Sequence, residues 1–316
     1  MPRLAVLLAL TAAPALASAS PGAGGSTEPE LGTISEPVVG GSMVPPGKWP
    51  DAVAVLGPKG ACSGTLIAPD VVLTAGHCAG IAANEVVVDT TNYNASGGQR
   101  RRVAKLTAFP DYRTSYDVAV VVLDEPIEDV APRTVASKCT YASFSADTMV
   151  RLVGFGLTQT DGGGTNTSLR EAMAPVLDPD CSGGNGCRDA ASPDGEFVAG
   201  GGGSDSCFGD SGGPVYLDTA GGPVLIASVS RGLAGAEQPC GGAGIYVRTD
   251  KLMPWIEATT HRSFTTDDCT GEVGSENFSG EPADGAGCSA GGASSLALAA
   301  IVGPLGLRRR RARAAV

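Results

Sequence analysis

Three short segments, far apart along this chain, make chemical sense only if the fold brings them together. Thr74-Ala75-Gly76-His77-Cys78, Asp117-Val118-Ala119-Val120 and Gly209-Asp210-Ser211-Gly212-Gly213-Pro214 supply a histidine base, a carboxylate and a serine nucleophile. A serine hydroxyl is a poor nucleophile at neutral pH, so it needs a base within hydrogen-bond reach and a third group orienting that base. The chain has only two histidines, and His77 is one of them. Asp117 enters an apolar strand-like run, whereas Asp111 follows Pro110 in a turn, where a solvated carboxylate is expected. Gly209 allows the backbone to turn so that its N–H and that of Ser211 aim at one point, as an oxyanion hole requires.

Between these segments the texture is short β-branched runs separated by Gly, Pro and Asn turns. Ala52–Leu56, Thr65–Ile67, Val71–Leu73, Glu85–Asp89, Val118–Leu123, Met149–Val153, Val224–Val229 and Ile245–Val247 read as strands. Many short strands at such spacing predict an all-β sandwich or barrel. Met253–Thr260 is the one convincing helix, and no internal repeat is visible.

Together the three motifs resemble those of the chymotrypsin/trypsin family of serine proteases, in the family's order His, Asp, Ser. The resemblance covers about Val38 to His261. It implies two six-stranded antiparallel β-barrels with a short C-terminal helix and an active site in the cleft between the barrels. It also implies His77 as general base, Asp117 as its buried partner, Ser211 as nucleophile, and Gly209 and Ser211 as oxyanion donors. By the same resemblance, Asp205 marks the floor of a pocket for Arg or Lys, with Gly232 and Gly244 as its walls. Ser230 supports Asp117 and starts the substrate-binding strand. A structural salt bridge is the other reading of Asp205. Val38, in Val38-Val39-Gly40-Gly41, matches the new amino terminus that zymogen cleavage releases to pair with Asp210.

Two departures from the family pattern stand out. Pro37, not Arg or Lys, precedes Val38, which points to an activating protease of a different specificity. Arg231 replaces the usual Trp, and the Gly232–Cys240 loop is longer than usual. Both would narrow or recharge the cleft, so a non-basic preference is the alternative.

Nine cysteines fit an oxidising compartment. The resemblance pairs Cys62 with Cys78 and Cys207 with Cys240. Closing the first loop contributes roughly 3 kcal/mol on loop-entropy grounds. Cys181 matches one half of a third family bridge, but Val198 stands at the partner position, so Cys187 is expected to take over. Cys139 and Cys269 are left as a fourth pair, and Cys288 as the odd cysteine. No C-x-x-C pair supports a zinc site, no metal site is expected, and no cofactor is implied.

Both ends of the chain read as targeting segments. Residues 1–20 carry Arg3, an apolar run and small residues at a cleavage site, the pattern of a secretory signal peptide. A short core helix is the alternative. Residues 21–37 are Gly/Ser/Pro-rich and acidic, a propeptide or linker before a protease domain at 38–262. An acidic Gly/Ser-rich spacer follows at 263–287. In 288–316, Cys288 precedes an uncharged stretch from Ser289 to Leu307 and then five arginines. That stretch is just long enough to span a bilayer, with the arginines on the cytoplasmic side. The combination resembles the C-terminal sorting signals of myxobacterial surface proteins (MYXO-CTERM type), and a plain membrane anchor is the alternative. Without Arg3 and the tail arginines the net charge falls from −11 to −17, which argues against nucleic acid as a partner.

The sequence therefore predicts an exported, surface-directed serine endopeptidase acting on proteins or peptides. A pseudoprotease acting as a surface-binding module is the non-enzyme alternative, but no member of the triad is missing.

Overall fold

The computed structural model describes residues 38–184, 186–191 and 194–267. The expected signal peptide, linker and sorting tail, and nearly all of the spacer, lie outside them. Among the described residues no helix is long and apolar enough to cross a membrane.

A two-residue strand, β1 (Ser42–Met43), leads into six antiparallel strands: β2 (Ala52–Gly57), β3 (Gly60–Ala68), β4 (Val71–Thr74), β5 (Glu85–Val88), β6 (Gln99–Ala108) and β7 (Ala119–Leu123). They close into a barrel in the order β2-β3-β4-β7-β6-β5. The valine-rich runs explain the closure, because successive side chains of a strand point to opposite faces. Val53 and Val55 of β2, Val72 of β4 and Val121 of β7 pack in one buried cluster. Their neighbours Ala52, Ala54, Val71, Leu73 and Val120 pack in another, which also holds Phe155, Tyr216, Leu225 and Val247 from further along the chain. Burial on both faces turns these strands into continuous apolar runs rather than alternating ones.

The second half repeats the plan with β8 (Met149–Gly154), β9 (Arg170–Asp178), β10 (Glu196–Ala199), β11 (Pro214–Thr219), β12 (Gly222–Gly232) and β13 (Gly244–Arg248). Their order is β9-β10-β13-β12-β11-β8, closed by pairing of β8 with β9, and β1 adds at the side of β9. The fold is thus two closed six-stranded antiparallel barrels. Helix α1 (Met253–Thr260) follows, with Pro254 in its first turn and Ile256 buried. Proline there sacrifices no helical hydrogen bond.

A polar seam locks the halves together. Asp51, fully buried before β2, accepts from Arg133 Nε at 2.8 Å, from Arg133 Nη2, and from the Tyr216 hydroxyl at 2.6 Å. The Arg133 guanidinium lies 4.8 Å from the Tyr216 ring centroid, and that ring stacks on Trp49 at 4.7 Å. Removing one partner of a buried pair strands the other charge. Arg133→Ala should therefore lower the unfolding free energy by about 3–5 kcal/mol, read from urea denaturation. A loss below about 1 kcal/mol would show that the seam does not carry this stability.

Candidate active site

His77 follows β4 inside a 3-10 turn, Gly76–Ile81, whose Cys78 is buried and bonded to Cys62 of β3. The turn leaves the His77 side chain 42% exposed. Its backbone N–H donates to Asp117 Oδ1 at 2.9 Å, and its Nδ1 lies 2.9 Å from Asp117 Oδ2. The Ser230 hydroxyl, near the end of β12, donates to the same Oδ2 at 2.7 Å. Asp117 is 1% exposed. Burial raises its pKa, but the hydrogen bonds and charge of His77 and the Ser230 hydroxyl outweigh that and hold it below the usual carboxylate range. One oxygen pair thus fixes the ring position of His77 and leaves its Nε2 for other work.

Ser211 sits in the turn before β11, and its side chain lines one cavity of about 520 Å³ with His77 and Asp117. Among the described residues no hydrogen bond joins Ser211 Oγ to His77 Nε2, a contact of the kind that tightens when a substrate is held for reaction. The turn is held from the first barrel. Ser63 of β3 donates its N–H to the Ser211 carbonyl at 2.9 Å and its hydroxyl to the Gly209 carbonyl at 2.8 Å. Gly209 adopts φ +99°, which suits glycine. At Gly212, φ is +81° and a Cβ would fall 2.1 Å from Thr74 Oγ1, so no side chain fits. Among the described residues neither the Gly209 nor the Ser211 N–H has an acceptor. Two such donors on one tight turn are what a developing oxyanion requires.

Asp210 points away from the cavity. Its carboxylate accepts from Gly156 N at 2.7 Å and Cys207 N at 2.9 Å. It has no ion-pair partner among the described residues, and burial pushes its pKa up to about 7. Val38 is 1% exposed within the core of the second barrel, and Val39 packs on Cys207 and Cys240.

Asp205 is 1% exposed, just behind Ser206 and Cys207 of the cavity wall. It accepts from Ser206 N (2.7 Å), Gly241 N (2.9 Å), Ala243 N (3.2 Å) and the Tyr246 hydroxyl (3.4 Å). Burial raises its pKa more than these donors lower it. Gly232, on the cavity wall, pairs with Gly244 across β12 and β13, and the Cys207–Cys240 bridge closes the same wall.

Arg231 lines the cavity but is tied down at its wall. Its guanidinium forks onto Glu196 of β10, at 2.7 Å and 2.8 Å, and reaches the Gly186 carbonyl at 2.7 Å. Cys181 and Cys187 are bonded to each other, with Val198 in the same apolar cluster as Cys181. Cys139 is disulfide-bonded, and Cys269 and Cys288 lie outside the described residues. Cys62, His77 and Cys78 lie close enough to suggest a metal site, but both sulfurs are in the disulfide and cannot ligate. The sequence reading missed Ser63 and Glu196. Ser63 carried one signal, its position beside Cys62. Glu196 carried none.

The trypsin family model matches residues 38–256. A trypsin of Saccharopolyspora erythraea is 33% identical over 238 residues, covering 70% of this chain and 99% of the relative. Trypsin 5G1 of Aedes aegypti is 31% identical over 236 residues, covering 70% of this chain and 84% of the relative. Serine protease 56 of Homo sapiens is 33% identical over 259 residues, which is 75% of this chain but 41% of that longer protein.

Proposed function

The chain belongs to the trypsin family of serine endopeptidases, and from that premise we propose an exported, surface-directed enzyme that cleaves proteins after Arg or Lys. The observation that carries the catalytic part is the Asp117 carboxylate gripping His77 Nδ1 in the cavity that Ser211 lines. Ser211 Oγ attacks the scissile carbonyl carbon while His77 Nε2 takes its proton. The carbonyl oxygen becomes an oxyanion on the Gly209 and Ser211 N–H groups, each donor contributing about 3 kcal/mol to the transition state. His77 then passes the proton to the leaving amine, and an ester joins Ser211 to the acyl fragment. Water, deprotonated by His77, cleaves that ester and restores the hydroxyl. Asp117 stays ionised throughout, which its lowered pKa favours.

Asp205 supplies the negative charge for an Arg or Lys side chain. Its four donors within the protein favour the second reading, a pocket in which this carboxylate is structural and the preference non-basic. The activation step is cleavage at Pro37-Val38 by another protease, and residues 38–262 form the catalytic domain. Export and surface attachment rest on the sequence at 1–20 and 288–316.

The test uses matched chromogenic peptides ending in Arg, Lys, Phe or Ala. Hydrolysis after Arg and Lys is expected to dominate. Asp205→Ser should lower kcat/KM on those two by about 10²–10³-fold, the cost of stripping one partner from a desolvated charge pair. Hydrolysis after Phe or Ala, indifferent to Asp205→Ser, would transfer the assignment to the second reading.

A further inference from the structure

The cleft is basic although the chain as a whole is acidic, with a net charge of −11. Arg113, Arg188 and Arg231 all line the cavity that holds His77 and Ser211. The carboxylates facing them are already engaged. Glu196 takes both Nη groups of Arg231 and the backbone N–H of Arg188, and Asp117 takes His77 and Ser230. Neither Arg113 nor Arg188 forms an ion pair among the described residues, although Asp111 and Asp189 are their near neighbours in sequence.

Arg188 is nonetheless held in place. Its Nη1 donates to the carbonyls of Tyr112 and, at 2.9 Å, Ser115, in the loop leading to Asp117. The Cys181–Cys187 bridge ends one residue before it. Its Nε and Nη2 have no acceptor among the described residues and are not buried. Partial burial and the nearby charge of Arg231 both weigh against the Arg188 cation, and a carboxylate placed between the two would relieve that repulsion. Arg113 lies over the Tyr112 ring, 5.7 Å from its centroid, at the rim.

The backbone beside these arginines is open for strand addition. Pairing of β11 with β12 stops at Ser228, apart from the Val229 contacts with Gly212 and Gly213, while β13 covers only the other edge of Arg231 and Gly232. An extended peptide can pair along Ser230–Gly232, with its scissile bond at Ser211. Its residues before that bond then pass the three arginines.

We propose that Arg188, flanked by Arg113 and Arg231, is a specificity residue that receives an Asp or Glu side chain two to four residues before the cleaved bond. The preferred substrate is thus an acidic segment ending at the cleaved residue. This rests on the protease reading above for the direction of the peptide. Arg188 offers a fixed fork of two N–H donors, the geometry a carboxylate accepts bidentately.

The test is binding, so that it stands apart from turnover. The full-length chain carrying Ser211→Ala, with an enteropeptidase site in place of residues 33–37 so that Val38 can be freed, is titrated with fluorescent hexapeptides. Each pair has Arg, Phe or Ala at the cleaved position and differs only in Asp-Glu against Asn-Gln just before it. At 50 mM salt the acidic member should bind at least tenfold tighter, and the ratio should shrink at 500 mM. Arg188→Gln should remove most of the ratio, and Arg188→Lys should keep part of it. Circular dichroism and thermal melting verify that each variant is folded. Equal affinities, including no binding by any peptide, overturn the proposal, as does an acidic preference that survives Arg188→Gln. The failure of the protease reading looks different: no hydrolysis of any peptide by the chain with Ser211 intact, whatever the binding ratio.

Discussion

Ser211→Ala will lower kcat/KM on any peptide substrate by about 10⁵–10⁶-fold and leave the fold intact. The magnitude follows from the joint action of nucleophile and base, since losing either costs nearly as much as losing both. Among the described residues the Ser211 side chain makes no hydrogen bond, whereas its backbone is held by Ser63 and its neighbours by Val229. The substitution therefore removes the reacting oxygen and little else, and the melting temperature should move by no more than a few degrees. Asp117→Asn should cost about 10⁴-fold, because an amide at that position favours the wrong imidazole tautomer. A fluorophosphonate probe separates the cases: it should label the native chain, label Asp117→Asn slowly and leave Ser211→Ala unlabelled. Turnover retained by Ser211→Ala, after purification away from host proteases, would place the nucleophile elsewhere.

The site was legible wherever its chemistry is local in sequence. Gly209 to Pro214 is one turn, and its glycines are dictated by close approach, as the 2.1 Å clearance at Gly212 shows. His77 and Asp117 announce themselves through the apolar strands beside them, β4 before His77 and β7 after Asp117. The partners that steady these residues were not legible, because nothing near them in sequence marks the contact. Ser63 grips the nucleophile turn from another barrel, and Glu196 takes up Arg231 across 35 positions. The sequence suggested that Arg231 would recharge the cleft, but how much of its charge remains depends on that buried carboxylate. The strands missed in the sequence reading have similar causes. Strand β6 opens with Gln99-Arg100-Arg101-Arg102, and its side chains are half-exposed, so no apolar run marks it. Strand β9 contains Pro175, which reads as a breaker until its place beside the register shift between β9 and β10 is known. In β10, four residues are too few for a period to emerge, although all four are buried.

Freeing Val38 will raise activity at least 10³-fold, and it will reverse the pH dependence of stability. The argument turns on Asp210, a buried carboxylate with two backbone donors and no ion-pair partner among the described residues. In the intact chain the Val38 nitrogen is an amide and brings no charge. Burial then holds the Asp210 pKa up at about 7, against about 3.9 in an unfolded chain. Between those values the folded chain binds the extra proton, so stability falls as pH rises from about 4 to about 7 and is level above. The full effect is roughly 4 kcal/mol at most. Asp210→Asn should flatten this slope. Once the peptide bond before Val38 is cut, the new ammonium can reach the carboxylate, since Val39 already packs on Cys207, whose N–H donates to Asp210. That ion pair depresses the Asp210 pKa, so its contribution is present at neutral pH and is lost as pH falls through the new, lower value. The same carboxylate adjoins Ser211 and is bonded to Gly156 and Cys207, so its ionisation fixes the turn that aims the Gly209 and Ser211 N–H groups. Asp210→Asn in the cleaved enzyme should therefore lose most of the gained activity. Urea unfolding of the full chain with Ser211→Ala, cut and uncut, at pH 5 and pH 8 gives the stability half of the answer. Matched kcat/KM values for the cut and uncut native chain give the other. An uncut chain that is as active as the cut one, or equally stable at both pH values, would remove Asp210 from the activation step.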